Sequence, residues 1–157
     1  MVETLESPNV MPEIQKRRLA AAARYKKAPP VREKRGGTGE VLVVEDTPDI
    51  RRLMKIVLET FGMQVTMLGD GQSAADMIDM NQAPDLVIMD RMLPYVSGDK
   101  LIEKIRADQE WNEVPVVVVS AKARGSDVAE SLHSGANDYV TKPFNSKHFM
   151  EVVSRYV

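Results

Sequence analysis

The chain has 157 residues, 43% of them hydrophobic and 28% charged, which suits one soluble domain with an extension. It contains no cysteine, so disulfides and thiolate metal sites are excluded. No apolar run approaches the roughly 18 residues of a membrane span, and the N-terminus lacks the charged-then-apolar pattern of a signal peptide, so a cytoplasmic protein is expected. The net charge of -2 is unevenly divided: residues 1–40 carry nine Lys/Arg and five Asp/Glu, residues 41–157 twelve and eighteen.

The first ten residues read as disordered. From Pro12 to about Lys27 the composition favours a helix, with Ala20 to Ala23, Leu19 and several Lys/Arg, although Ile14, Leu19 and Tyr25 make no apolar stripe. Pro29-Pro30 ends it, and Gly36-Gly37-Thr38-Gly39 is a flexible linker. Between Glu13 and Arg35 nine Lys/Arg face two Glu. This is either a solvated, partly helical tail or a contact segment for an acidic partner: protein, nucleic acid or lipid headgroups.

From Val41 the pattern changes to five β-α units. Val41 to Val44 is a short apolar strand ending in Glu45-Asp46. Thr47 or Asp49 can cap the next helix, with Pro48 in its first turn. Ile50, Leu53, Met54, Val57, Leu58 and Phe61 fall on one helical face, closed by Gly62. Gln64 to Leu68 is the second strand. Asp70-Gly71 turns the chain, and Ala74, Met77 and Ile78 mark the second helix. Leu86 to Met89 is the third strand and ends in Asp90, followed by a loop with Pro94 and Gly98. Leu101, Ile102 and Ile105 mark the third helix, and Val114 to Val119 the fourth strand. Ser126 or Asp127 starts a fourth helix closed by Gly135, Asp138 to Thr141 is the fifth strand, and Phe149, Val152, Val153 and Tyr156 stripe a final helix that runs to the end. Alternation with short loops predicts a doubly wound α/β fold, a parallel sheet covered by helices on both faces. The strands are apolar throughout rather than alternating, as such burial requires.

In such a sheet the chemistry sits beyond the carboxyl ends of the strands. Four groups fall there: Glu45-Asp46, Asp90, Ser120-Ala121 and Lys142-Pro143. Three carboxylates brought together repel by roughly 4 kcal/mol per pair at about 4 Å and an effective dielectric near 20. A hard divalent cation such as Mg²⁺, which takes carboxylates, waters and phosphate oxygens, resolves that repulsion. A carboxylate fixed at a strand end can attack phosphorus and form an acyl phosphate, which makes Asp90 the candidate phosphoacceptor. Lys142 supplies a point charge for phosphate oxygens, and the Ser120 hydroxyl and the Ala121 N–H supply donors.

The motifs Val43-Val44-Glu45-Asp46, Met89-Asp90-Arg91-Met92-Leu93-Pro94 with Gly98 beyond, Val117-Val118-Val119-Ser120-Ala121, and Asp138-Tyr139-Val140-Thr141-Lys142-Pro143-Phe144 stand in the order and spacing of a known family. Residues 41–157 resemble the receiver domain of two-component response regulators. The resemblance implies a flavodoxin-like (βα)5 fold with strand order 2-1-3-4-5. It implies that Asp90 is the phosphorylated aspartate, that Asp46 is a direct Mg²⁺ ligand with Glu45 as the second acid, and that the Met92 carbonyl is the backbone ligand, with Mn²⁺ able to replace Mg²⁺. Ser120 and Tyr139 resemble the switch pair, Tyr139 turning inward on activation. Lys142 resembles the phosphate-binding lysine, and the Lys142-Pro143 bond is often cis in that family. Met92 and Lys122 lie where the family varies its dephosphorylation rate. The implied donor is a phosphohistidine on a sensor histidine kinase or histidine phosphotransfer protein, docking on the first helix. The implied output is a protein target read through the face of the fourth helix, fifth strand and fifth helix. Such a domain assists its own phosphorylation and dephosphorylation and is not a turnover enzyme.

Two features depart from the common pattern. The chain ends within a helix's length of Lys142, so either a stand-alone receiver or a chain cut before an output domain is expected. The last helix offers only Lys147 and Arg155, with Glu151 between them, which argues against the arginine-lined symmetric dimer of many winged-helix regulators. Two other readings stay open: the N-terminal part of a DNA-binding transcriptional regulator, and a receiver-like interaction module that takes no phosphate. A flavin-binding protein of this fold class would need a phosphate loop. A haloacid-dehalogenase-like phosphatase would need a second Asp two residues beyond the nucleophile, where Met92 stands.

Overall fold

The computed structural model describes residues 39–157 apart from residue 81. The helix expected from Pro12 and the basic stretch therefore lie outside the described residues. Five strands alternate with five helices: β1 (Glu40–Val44), α1 (Pro48–Thr60), β2 (Gln64–Leu68), α2 (Gly71–Met80), β3 (Leu86–Met89), α3 (Gly98–Ala107), β4 (Val116–Ser120), α4 (Gly125–Ser134), β5 (Asp138–Thr141) and α5 (Ser146–Val153). All strand pairs are parallel, in the order β2-β1-β3-β4-β5.

Because successive strand residues point to opposite faces, the sheet divides its side chains between two cores. Leu42 and Val44 of β1, Val87 and Met89 of β3, and Val116 and Val118 of β4 pack with α2, α3 and α4. Val41, Val43, Leu86, Ile88, Val117 and Val119 pack with Met54 and Leu58 of α1 and Phe149, Val152 and Val153 of α5. Each fully buried Val, Leu or Ile contributes about 1.5–3 kcal/mol, and the runs Leu86–Met89 and Val116–Val119 are buried throughout. β2 is the exception to the apolar rule. It is an edge strand, with Gln64 and Thr66 exposed.

Local signals explain the element ends, with shifts of a residue or two. Pro48 occupies the first turn of α1, and Thr47 precedes it without a side-chain cap bond. Asp70 does more than turn the chain, since its carboxylate accepts from the Ser73 N–H at 2.7 Å and from the Ser73 hydroxyl at 2.9 Å. α4 starts one residue before the expected Ser126, on Gly125, and ends at Gly135 in the left-handed region (φ 117°). α5 stops at Val153 instead of running to the end. On α1 the expected six-residue stripe is narrower: Met54 and Leu58 are buried and Ile50 and Val57 half-buried, while Leu53 and Phe61 face solvent.

The strand order reverses at β1, which leads to β2 on one side and to β3 on the other. Ligand crevices in open parallel sheets form at that reversal, beyond the strand ends. Val44 pairs with Met89, so the residues that follow, Glu45 and Asp90, emerge side by side.

Candidate functional site

The strand-end residues converge as their positions predict. The Asp90 N–H donates to the Val44 carbonyl at 3.0 Å, extending the β1–β3 ladder to the end of β3. One carboxylate oxygen from each of Glu45, Asp46 and Asp90 lies within 4.8 Å of the other two. Glu45 and Asp90 are buried and Asp46 is exposed. Lys142 stands two strands away from Asp90, roughly 10 Å at the spacing of a sheet, a span that needs a long side chain. Its Nζ donates at 2.6 Å to Glu45 Oε2 and at 2.6 Å to Asp90 Oδ2.

Loop amides complete the polar set. Glu45 Oε1 accepts from the Thr47 N–H at 3.1 Å, and Asp90 Oδ1 accepts from the Met92 N–H at 2.8 Å. Arg51 Nη1 of α1 donates to the Glu45 carbonyl at 2.7 Å, tying the β1–α1 loop to the helix. Burial pushes the Glu45 carboxyl above its usual value, and the Lys142 ammonium and Thr47 N–H offset only part of that. For Lys142, burial works against the ammonium, but the hydrogen bonds from it to Asp90 and Glu45 outweigh burial and hold its pKa above the ordinary value. The ammonium is thus a fixed cation between two buried acids.

The set suits a hard cation. The donors are carboxylate oxygens with no sulfur or imidazole among them, which is the chemistry Mg²⁺ prefers. Asp46 is exposed at the edge of the cluster, where an ion carrying its own waters can reach it.

The remaining sequence candidates sit around this centre. Ser120 is the last residue of β4 rather than the first of the loop; it is buried, and its hydroxyl accepts from the Lys122 N–H at 3.3 Å. Ala121 follows it, exposed. The Lys142 N–H donates to the Ser120 carbonyl at 2.9 Å, and the Lys142-Pro143 bond is cis. Tyr139 is already buried, with its hydroxyl donating to the Lys122 carbonyl. Met92 projects its side chain into solvent, 57% exposed, beside Tyr95 at 87%.

One element was not foreseen. Arg91, next to the candidate phosphoacceptor, reaches away from the carboxylate cluster. It donates to Asp99 Oδ2 at 2.8 Å on α3, to Asp127 Oδ1 at 2.8 Å on α4, and to Glu130 on α4. Asp99 also accepts from the buried Ser131 hydroxyl at 2.9 Å. The i, i+3 spacing of Asp127 and Glu130 was a readable sign of an acidic helix stripe. Nothing local named its partner, 36 and 39 residues away.

The comparisons with known proteins agree with this geometry. The family described as "Response regulator receiver domain" matches residues 41–154, and the chain belongs to it. Over 115 residues the chain is 40% identical to the DNA-binding response regulator MtrA of Mycolicibacterium smegmatis, covering 73% of this chain and 47% of MtrA. Over 119 residues it is 37% identical to hybrid signal transduction histidine kinase D of Dictyostelium discoideum, covering 74% of this chain and 7% of the kinase. The chain thus spans about half, or much less, of the length of these curated relatives. Among solved structures, the receiver domain of sensor histidine kinase PA1611 from Pseudomonas aeruginosa PAO1 superimposes with a TM-score of 0.70 at 30% identity, covering 76% of this chain and 98% of that one. That structure holds a magnesium ion coordinated in its active-site cleft. The chain is therefore a receiver domain of two-component phosphorelay signalling, with an acidic cluster fit for a metal and a phosphoacceptor. Among the described residues no helix is long and apolar enough to cross a membrane.

Proposed function

We propose that Asp90 accepts a phosphoryl group from a phosphohistidine with Mg²⁺ bound by Asp46, Glu45, Asp90 and the Met92 carbonyl, Mn²⁺ serving as a substitute. The observation that carries this reading is the convergence of three carboxylates within 4.8 Å, with the Lys142 ammonium 2.6 Å from Asp90. A carboxylate oxygen of Asp90 forms a bond to phosphorus as the phosphorus–nitrogen bond of the donor breaks. The departing imidazole takes up a proton. When bound, the metal neutralises charge on the transferring phosphoryl oxygens. Lys142 pairs with the phosphoryl group, and the Ser120 hydroxyl and Ala121 N–H donate to its oxygens. Hydrolysis of the acyl phosphate returns the starting state, so the chain is a switch rather than a turnover enzyme.

The donor is read as a sensor histidine kinase or a histidine phosphotransfer protein, and α1 as its docking helix. Ser120 and Tyr139 set the shape of the α4-β5-α5 face, which a protein target reads. This is a population shift between two packings biased by one covalent charge. Residues 1–40 are read as a basic extension before the receiver at 41–157, its last residue, Glu40, already opening β1. Their charge supports contact with an acidic partner, tested by salt-dependent binding lost on their removal.

The test of the phosphoacceptor is incubation with Mg²⁺ and acetyl phosphate or phosphoramidate, followed by intact mass measurement. One added phosphoryl group is expected on the parent chain, and none on Asp90→Asn or when Mg²⁺ is left out. A folded parent chain that gains no adduct would sink the reading.

A further inference from the structure

Arg91 joins three elements that the switch has to coordinate. Its backbone follows Asp90 directly, and its carbonyl accepts from the Gly98 N–H at 2.9 Å at the start of α3. Its side chain is 11% exposed, and the guanidinium holds Asp99 of α3 together with Asp127 and Glu130 in the first two turns of α4. The Ser131–Asp99 bond closes the ring between the two helices. Charge-assisted bonds from a planar guanidinium fix direction as well as distance. The N-terminal half of α4 is therefore tied to the residue beside the candidate phosphoacceptor by something other than the β4–α4 loop.

The β4–α4 loop is the other end of the same arrangement. Lys122 donates its N–H to the Ser120 hydroxyl and accepts the Tyr139 hydroxyl on its carbonyl. α4 begins three residues later, at Gly125. Tyr139 also lies near enough to Arg91 and Asp127 to feel both charges. If α4 loses its tie, the carbonyl that satisfies the buried Tyr139 hydroxyl loses its fixed place. The Ser120 hydroxyl stays within reach of the Tyr139 oxygen, but losing the acceptor for its own proton is costly to a buried hydroxyl, which favours the ring moving out to water.

We propose that Arg91 is a positioning residue that holds α4 over an inward Tyr139, so that breaking its pairs with Asp127 and Glu130 weakens the hold of the site on a phosphoryl group. The proposal rests on the receiver reading above. It follows by reciprocity: if a phosphoryl group on Asp90 favours inward Tyr139 by some factor, inward Tyr139 favours phosphoryl binding by the same factor, and a tie that raises the inward population strengthens that binding up to this limit.

The test uses the full chain, with fluorotyrosine incorporated, and Mg²⁺ with beryllofluoride as a non-covalent phosphoryl mimic. The Tyr139 fluorine resonance is assigned by Tyr139→Phe. Arg91→Gln and the pair Asp127→Asn with Glu130→Gln are each expected to shift that resonance toward its exposed position in the unliganded chain. Each is expected to raise the beryllofluoride concentration at half-saturation by roughly five- to tenfold. Combining the two sets should add little, because both remove the same tie. A responding parent whose Arg91→Gln and Asp127→Asn/Glu130→Gln variants saturate at the parent's concentration, with Tyr139 unmoved, overturns the coupling and leaves the receiver reading intact. A parent indifferent to beryllofluoride overturns both. If Arg91→Gln fails to fold, the Asp127→Asn/Glu130→Gln chain decides the question on the same two readouts.

Discussion

Replacing Lys142 with methionine keeps the length and much of the bulk of the side chain and removes the cation that bridges Glu45 and Asp90. Lys142 Nζ now makes two bonds of 2.6 Å, to Glu45 Oε2 and Asp90 Oδ2, and the side chains of Glu45 and Asp90 are 0% and 9% exposed. Without the ammonium, two buried carboxylates face each other within 4.8 Å. At that distance and an effective dielectric near 20 their repulsion is about 3.5 kcal/mol. Asp46 adds less, because it is exposed and water screens it. Removing one member of a buried pair costs about 3–5 kcal/mol in general, so a loss near 3 kcal/mol at pH 8 in the presence of a chelator is expected. The same argument requires the loss to be conditional. A divalent cation replaces the missing charge, and protonating Glu45 removes one of the two repelling charges. Urea unfolding of parent and Lys142→Met should therefore differ most at pH 8 with chelator, and much less with Mg²⁺ or at pH 4, below the ordinary glutamate value. An equal loss under all three conditions would mean that Lys142 acts by packing alone, and the electrostatic account of the site would be wrong.

Three further outcomes are expected. Burial raises the folded-state pKa of Glu45 above the unfolded value of 4.5, so between those two values the folded chain binds a proton that the unfolded chain has released. The Glu45 contribution to stability is then full below pH 4.5 and lost as pH rises through the folded value; urea midpoints from pH 4 to 7 in chelator should fall less steeply in Glu45→Gln, and parallel slopes would contradict this. Gly98 packs against the end of β3 at the candidate phosphoacceptor, where a Cβ would lie 2.5 Å from the Asp90 carbonyl oxygen and 2.8 Å from the Arg91 Cα. Gly98→Ala should cost about 1–3 kcal/mol by overpacking and slow phosphorylation from acetyl phosphate, and an unchanged rate would show that the loop absorbs the shift. At the opposite end of the sheet, Arg106 donates to the carbonyls of Gly135, Asn112 and Val114 and to Asn137 Oδ1. Arg106→Met, which strands those acceptors, should lower stability by about 3 kcal/mol while leaving the phosphorylation rate of the folded fraction unchanged.

The parts of the molecule legible in the sequence are those with local causes. Strand runs, apolar helical spacing, glycine stops and the proline at the start of α1 indicated the ten described elements, and burial on both faces fits the apolar runs Leu86–Met89 and Val116–Val119 as interior strands. The carboxylate cluster was legible for the same reason, since residues at the carboxyl ends of parallel neighbours must meet. The errors also have local form. Phe61 completes the helical period, but it is the C-cap residue past the end of α1, and it is exposed. Leu53 shows that a period fixes a stripe without fixing how wide the contact is. Gly125 starts α4 before its expected polar caps because the preceding Arg124 already has extended backbone (φ -63°, ψ 147°) and makes no side-chain cap bond.

What stayed hidden is the part that depends on which helix lies next to which. Asp99 and Asp127 each read alone as acids in the first turn of a helix, where a carboxylate is favourable without further explanation, and Glu130 as a surface acid further along α4. Arg91 read alone as a loop residue inside a family motif. Only the packing of α3 beside α4, over the end of β3, turns four solvated charges into one partly buried cluster with an excess of negative charge. The consequence is a division of labour along the chain. The residues that carry the chemistry are fixed by strand ends and can be found one at a time. Arg91 is held by tertiary contact with Asp99, Asp127 and Glu130, so its role is not readable from its own position. The proposed coupling is therefore to be tested at Arg91 and at its partners on α3 and α4, where the strand-end acids and Lys142 are left untouched.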